Sequence, residues 1–451
     1  MPVMFGSDNP QCQIPEVQAL VARFTLYGNL IGGILSAITS PKLGALSDRH
    51  GRGKILAFTA LGMLVGETIT VMAAKYPEMI SVNWMLLGYA IDGLCGTFIV
   101  AMAVTNAYAS DCTAPPQRNV TFAYFHGCLF TGIALGPLIA GYIVKATGQI
   151  LTSFYIALGS HFLFMSYILF VLPESLTKER QMAAREKYRL KEEGETDASW
   201  TNNPIYWAHS TLGGAKLFAP LKILYPTGEG SSRAVRRNLV FLAAVDATVF
   251  GVAMGSVTIV IIYSEIQFGW GNFETSIFVS IVNICRVCCL LIVLPLVTYL
   301  VRGRQGTAPQ RNSGSDRLDL AIIRTAILFD IIGYVGYATA RTGALLKLSG
   351  AIAAIGGMGS PTLSSALTKH VPADRTGQLL GAIGLLHALA KVVAPTIFNL
   401  IYSVTVYTFK QTVFVCLAAT FGVSFVISWF IKPHGKPTKT LQTYQGSCLQ
   451  K

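Results

Sequence analysis

Charge is what this sequence has little of. Only 13% of its 451 residues are Asp, Glu, Lys or Arg, against 52% that are hydrophobic, and the mean hydropathy is +0.52. A soluble domain of this length needs far more charge to cover its surface, so a solvent that is mostly lipid is implied. Acidic residues are scarcer than basic ones, 22 against 35, which leaves a net charge of +13. No basic helix interleaved with aromatic residues accompanies that excess, which argues against a nucleic-acid partner. The nine cysteines are odd in number and scattered, with no metal-binding spacing and no disulfide framework. Cys95, Cys128, Cys285, Cys288, Cys289 and Cys416 fall in apolar blocks, where cysteine packs as a small hydrophobe. No GxxxxGK[ST] phosphate loop is present and nothing has the pattern of enzyme machinery. An enzyme is therefore not expected, nor are catalytic residues, a cofactor, a metal or ATP-driven transport by this chain alone. The first fifteen residues carry no basic stretch followed by an apolar one, so no signal peptide is expected.

What is present is a series of apolar blocks of about 20 residues or more, long enough to cross a hydrocarbon core of about 30 Å. Inside lipid the backbone must satisfy its own hydrogen bonds, so such blocks are helices and the fold class is all-α. Eleven spans are predicted, near 17–39, 54–75, 82–104, 119–145, 150–172, 238–263, 276–300, 319–340, 344–367, 377–404 and 412–431. They divide the chain into a five-span bundle over 1–172, a polar connecting segment over 173–237, a six-span bundle over 238–431 and a tail over 432–451. Leu176 to Glu195 is charged at helical spacing and is expected to form a solvated helix. Leu221, Ile223 and Leu224 suit a turn or helix lying in the interface, or a plain linker. Most Lys and Arg lie in alternate loops (40–54, 105–118, 173–237, 301–317, 368–376 and the tail), which places those loops in the cytoplasm. The halves also repeat. Leu135-Gly136-Pro137-Leu138-Ile139 falls against Val393-Ala394-Pro395-Thr396-Ile397 at an offset of 258. By that offset the partner of the span at Asn238–Tyr263 would precede Met1, so a first span is expected to be missing.

Two motifs stand out. The first, Gly44-Ala45-Leu46-Ser47-Asp48-Arg49-His50-Gly51-Arg52-Gly53-Lys54, lies between the first two spans, and its glycines permit a tight, close-packed turn. Asp48 is placed to cap a following helix or pair with a base on a neighbour. In Gly132-Ile133-Ala134-Leu135-Gly136-Pro137-Leu138-Ile139-Ala140-Gly141, small residues four apart let helices approach closely, and Pro137 removes a backbone hydrogen bond. At these residues the chain resembles the major facilitator superfamily. Gly44, Leu46, Asp48, Arg49, Gly51 and Arg52 match the family's cytoplasmic motif GxLaDrxGrkx, with Lys54 one place beyond the second base. Gly132, Gly136, Pro137 and Gly141 match its antiporter motif gxxxGPxxGG, with Ala140 in place of one glycine. The loop Tyr108–Arg118 and the segment Pro173-Glu174-Ser175-Leu176 resemble tetracycline-efflux-like members, fungal ones in particular. The resemblance implies a pair of helical bundles about a pseudo-two-fold axis. It makes the first motif a cytoplasmic gate latching the bundles, and associates the second with export in exchange for protons.

Ionisable residues inside spans are costly in lipid and are functional candidates by default. Glu67, Asp92, Asp246, Arg286, Asp330 and Lys391 qualify. By order, Asp92 and Asp246 fall on the family's fourth and seventh helices, which line its central cavity. With Arg286 as counter-charge they are the candidate substrate or proton site, or else buried ion pairs that hold helices together. Tyr89 stands where drug exchangers of the family carry an arginine, so their usual coupling device is absent. His126 and His161 read as packed residues; His387 and Lys391, four apart on one face, form a further candidate pair. The Gly356–Pro361 run interrupts its span as a gate or a close-packing site. The expectation is a multi-pass secondary transporter of the plasma or vacuolar membrane that exports a small organic molecule or drug in exchange for protons. Its partners would be that substrate, protons and lipid, with no obligate protein partner evident. The alternatives are uptake or facilitated diffusion of a nutrient, and a truncated, non-transporting chain or an incomplete gene product.

Overall fold

In hydrocarbon an unpaired amide costs several kcal/mol, and this chain answers by being helical almost throughout. The computed structural model describes residues 15–196, 218–226, 232–303, 314–406 and 408–433. The expected tail beyond 433 and the middle of the connecting segment lie outside those residues. In the first half the helices are α1 (Pro15–His50), α2 (Arg52–Lys75), α3 (Trp84–Leu94), α4 (Thr97–Cys112), α5 (Arg118–Thr147) and α6 (Ile150–Phe170). A polar helix α7 (Lys178–Thr196) and a 3-10 turn (Ala219–Leu224) follow. The second half contains α8 (Arg233–Phe268), α9 (Asn272–Cys288), α10 (Leu294–Arg302), α11 (Arg317–Thr339), α12 (Gly343–Gly356), α13 (Gly359–Thr368), α14 (Thr376–Thr405) and α15 (Thr412–Trp429). Among the described residues, ten segments are long and apolar enough to cross a membrane. The helix α11, which carries Arg324 and Asp330, packs beside them against α12 and α15.

Three spans depart from straight helices, each for a local reason. The third breaks between α3 and α4, where Gly96 (φ 95°) and then Thr97 (φ 55°) enter the left-handed region, which a β-branched residue adopts only under strain. The seventh widens into a π turn over Cys289–Val293 just before Pro295, whose missing N–H cannot continue the α register. The ninth stops at Gly356 and restarts at Gly359. The segment around the first motif is also tighter than expected. Rather than a loop over 40–54, helix α1 runs on through Pro41 to His50 and α2 starts at Arg52. One residue, Gly51, makes the whole turn, at φ 102°. Helix persists because Ala45–His50 contains no breaker, and only glycine takes that φ without strain.

The repeat is visible in the backbone. Moved by the offset of 258, the bounds of α5 fall residue for residue on those of α14, and the 3-10 turn Pro115–Gln117 falls on Ala373–Arg375. Each half has its own apolar core. The larger joins Leu239, Leu242, Tyr263, Leu346, Leu363, Phe414 and Leu417 of the second half, and the smaller joins Leu43, Ile55, Leu56, Val100 and Val104 of the first. The halves meet where α1 and α4 pack on α14, and where α5 packs on α9 and α13. One difference breaks the symmetry. Ala394 on α14 packs against Gly251 and Gly255 of α8, whereas Gly132, Gly136 and Gly141 on α5 have no neighbouring atom within 4 Å of a would-be Cβ.

Candidate functional site

At the basic end of the molecule, the first motif closes on the second half. Asp48, at the end of α1, is only 6% exposed and lies under the first turn of α14. Its Oδ1 accepts from the Gly377 N–H at 3.0 Å and its Oδ2 from the Gln378 N–H at 2.8 Å. Those donors have no intrahelical partner, and the helix dipole adds to the attraction, so a carboxylate is the group best suited there. Arg52, fully buried, ties the same carboxylate back to its own half. It reaches Asp48 at 2.7 Å, Asp111 at 3.0 Å and the Ser47 hydroxyl at 2.6 Å. Glu174 closes the ring by accepting from the Arg52 and Gly53 amides at 2.8 and 3.1 Å. Gly44 is needed for approach rather than for the turn, because a Cβ there would collide with the Gly377 backbone and Gly381. Leu46 packs against the core of the first half. The Arg49 guanidinium lies over the Tyr188 ring of α7 at 3.8 Å, and its carbonyl accepts from Arg185 at 2.9 Å. Lys54 is exposed and takes no part in the network.

Sequence reasoning missed a second closure at the same end. Arg302, the last residue of α10, donates to the Pro116 carbonyl and, at 3.2 Å, to Asn119 Oδ1 at the start of α5. In its own half it pairs with Asp316 at 2.7 Å and Asp319 at 2.8 Å, and Asp319 also holds Lys369 at 2.6 Å. Asn119 donates in turn to Thr298 at 3.1 Å, and Arg118 reaches the Thr368 carbonyl at 3.5 Å. Burial alone would raise the Asp316 carboxyl, but the Asp319 backbone N–H and the Arg302 guanidinium outweigh it and hold that carboxyl below the usual carboxylate range. The signal was in the repeat: the offset of 258 carries Gly44 onto Arg302 and the start of α14 onto the start of α5. The two closures are thus symmetric in place and opposite in chemistry, a carboxylate under amides in one and a guanidinium on carbonyls in the other.

Deeper in, the ionisable residues form three pairs rather than one cluster. Asp92, at the end of α3, has a buried Oδ1 with no hydrogen-bond partner, and the charges acting on it are Lys391 of α14 and His161 of α6. Lys391 lies over the Phe98 ring at 5.2 Å. Arg286 of α9 lies over the Phe130 ring of α5 at 4.7 Å, with its Nε unpartnered, and the acid that faces it is Asp330 of α11. Both cations belong to the second half and both rings to the first. Asp246 of α8 is 2% exposed and pairs with neither; its Oδ2 lies 2.7 Å from His387 Nε2 on α14. His126 of α5 is buried between the halves, its Nδ1 2.9 Å from the Phe122 carbonyl and its Nε2 3.5 Å from the Ser360 hydroxyl. Asp92, Asp246 and Arg286 therefore stand apart, each with its own partner, and the three partners Lys391, His387 and Asp330 complete the centre. The second motif contributes none of these side chains; Gly132, Gly136, Pro137 and Gly141 lie along α5 beyond Phe130, and α5 continues unbroken through Pro137.

The arrangement is one of two helical halves, polar closures at one end and separated charges at the interface, and the chain is similar in sequence and fold to known proteins. The sequence profile described as Major Facilitator Superfamily matches residues 24–395. The MFS-type transporter avaJ of Aspergillus versicolor is 33% identical over 420 residues, which cover 92% of this chain and 78% of that protein. The class H tetracycline resistance protein of Pasteurella multocida is more distant, 21% identical over 93% of this chain and 90% of its own length. The solved structure of the human organic anion transporter MFSD10 superposes with a TM-score of 0.66, covering 89% of this chain and 83% of that one. At 17% identity that likeness is one of fold alone.

Proposed function

The chain belongs to the major facilitator superfamily and is a multi-pass secondary transporter rather than an enzyme; from that premise we propose that it exports a small organic molecule in exchange for protons, by alternating access. The observation that carries this reading is the sealing of the basic end by contacts that can be broken and remade. Asp48 under α14 and Arg302 on α5 are polar, directional and confined to that end. They give way to water when the halves rock, at a cost a substrate can offset, as an apolar seal of the same area would not. On this reading the basic end is cytoplasmic, in accord with the positive-inside rule, and the conformer is closed toward the cytoplasm.

Asp92, Asp246 and Arg286 serve as the substrate or proton site, together with Lys391, His387 and Asp330. Ionisable groups at membrane depth are retained for a purpose, and exchange with a charged ligand or a proton is the purpose this fold offers. The antiporter-like run at Gly132–Gly141 supports export over uptake, and the membrane is that of the plasma or of the vacuole. The test is reconstitution in liposomes loaded with a pH-sensitive dye, with a panel of amphiphilic probes that includes tetraphenylphosphonium and fluorescein. Probe-triggered proton movement that needs the protein supports exchange. Probe flux that ignores an imposed proton gradient would replace it with facilitated diffusion.

A further inference from the structure

The proton has a more specific address than the centre as a whole. We propose that Asp246 and His387 form a one-proton loading site, opened to the space between the halves through the His387 ring. The inference rests on the exchanger reading above for its use in transport, but not for its chemistry.

Asp246 is the fourteenth residue of α8, about 20 Å along it at 1.5 Å per residue. That depth lies well inside a hydrocarbon core of about 30 Å. There the carboxylate is buried and makes one hydrogen bond among the described residues, to His387. A lone ionised carboxylate with one bond is poorly solvated, and a proton on the ring beside it offsets that charge. His387 differs from its partner in access. Its side chain is 18% exposed where that of Asp246 is 2%, and its Nδ1 takes no hydrogen bond among the described residues. The ring is held flat against Phe250, with centroids 4.1 Å apart and planes 12° apart, so it cannot swing away from the acid when its charge changes. A proton from water adds to Nδ1, a single N–H bond forms, and the pair becomes a neutral imidazolium–carboxylate couple. Its loss returns the proton to water on whichever side the halves then face, and leaves one negative charge behind.

The surroundings are arranged to feel that charge. Lys391 lies one turn further along the same face of α14, and Asp92 acts on it from the first half. When the pair is empty Lys391 is drawn toward it; when the pair is loaded Lys391 is released toward Asp92 or toward an anionic group of a substrate. His126 of α5 is the remaining titratable group that acts on the pair, its Nδ1 occupied by the Phe122 carbonyl. The helices α13 and α15, which pack on α8, carry no carboxylate, imidazole or amine; of those that pack on α14, α4 carries only Asp111, at its basic end, and α1 carries Arg23 near its start and Lys42, Asp48, Arg49 and His50 toward the basic end.

The chain contains seven histidines, few enough to follow individually by NMR with the ring carbon labelled in lipid nanodiscs. Followed from about pH 5 to 8, where an imidazole ordinarily changes charge, the His387 signal, identified by its loss in His387→Gln, should shift as Nδ1 takes up a proton. In Asp246→Asn its midpoint should fall by about 1 unit or more, because the charge that held the proton is gone. Asp246→Glu, which keeps the charge, should leave the midpoint near the wild-type value and controls for folding. A His387 signal that stays fixed over that range, or a midpoint unmoved in Asp246→Asn, overturns the proposal. In liposomes, His387→Gln should lower net probe-driven proton movement by about tenfold or more. Wild-type coupling in that variant also overturns it. A wild-type protein that moves no protons with any probe defeats the exchanger reading instead, and the NMR titration still decides the pair.

Discussion

Replacing Asp48 with Asn should open the basic end, and the size of the effect follows from three contacts. In the closed conformer the buried carboxylate accepts from the Gly377 and Gln378 amides and meets Arg52 at 2.7 Å. Charge-assisted bonds to a carboxylate contribute about 1.5–3 kcal/mol each. Asparagine keeps one acceptor oxygen, so one amide bond survives at neutral strength and the other faces an N–H it cannot satisfy. Arg52 retains Asp111, which limits its own loss. The net penalty on the closed state is about 2–3 kcal/mol, and the open state, where residue 48 meets water, is hardly affected. At 1.4 kcal/mol per tenfold, that is about 30- to 150-fold in the equilibrium. A closed preference of about 99:1 would fall to between about 3:1 and about 2:3. Spin labels at Lys54 and Arg317, both exposed at the basic end and in different halves, report the change by pulsed electron resonance in a background lacking the native cysteines. The wild-type distance distribution should be dominated by one short population, and Asp48→Asn should add a longer one of comparable weight. A folded variant with an unaltered distribution would show that the Asp48 contacts do not hold this end shut.

Other consequences can be measured with the same preparation. Gly44→Val puts a branched side chain where the Gly377 backbone lies, and should lengthen the same label distance through sterics alone, with all charges kept; an unchanged distance refutes the close-approach account. Arg302→Ala leaves Asp319 with Lys369 as its one remaining cation and frees the Pro116 carbonyl; the melting temperature should fall and the label distance lengthen, and if neither moves the second closure is idle. The depressed Asp316 carboxyl contributes stability that is complete above its unfolded pKa of about 3.9 and lost as pH falls through its lower folded value. Because Asp316 is half exposed, the contribution is about 0.5 kcal/mol. The melting difference between wild type and Asp316→Asn should therefore be small at neutral pH and shrink as pH falls below about 4; a difference that grows on acidification contradicts the sign.

The sequence by itself determined the elements, because lipid leaves the backbone one solution and the length of an apolar block is a direct measure of whether it can cross. Helices stand at all eleven expected spans, the α7 helix falls on the charged run after Pro173, and the offset of 258 that matches Gly136-Pro137 to Ala394-Pro395 also matches the bounds of α5 and α14. The sequence offered Asp48 the following helix or a base on a neighbour, because a carboxylate in an otherwise apolar and basic stretch needs donors; the helix whose first amides it meets is α14, in the other half. What the sequence could not supply was partnership. Periodicity sets which face of a helix a residue occupies, but not how far each helix turns on its neighbours, and a small rotation decides whether Asp246 meets Arg286 or His387. It meets His387, while Arg286 turns to Asp330 and Asp92 to Lys391. Local backbone departures were hidden as well. The turn made by Gly51 alone, the break at Gly96 and the π turn ahead of Pro295 each depend on how the chain is held at that point by its neighbours. The second closure was hidden because its members are dispersed: Arg302, Asp319, Lys369 and Asn119 come from four segments with no common motif. Only the tertiary structure brings them together, since a contact between residues far apart in the chain is a property of packing, and packing is decided by the shapes of whole helices rather than by any local run of sequence.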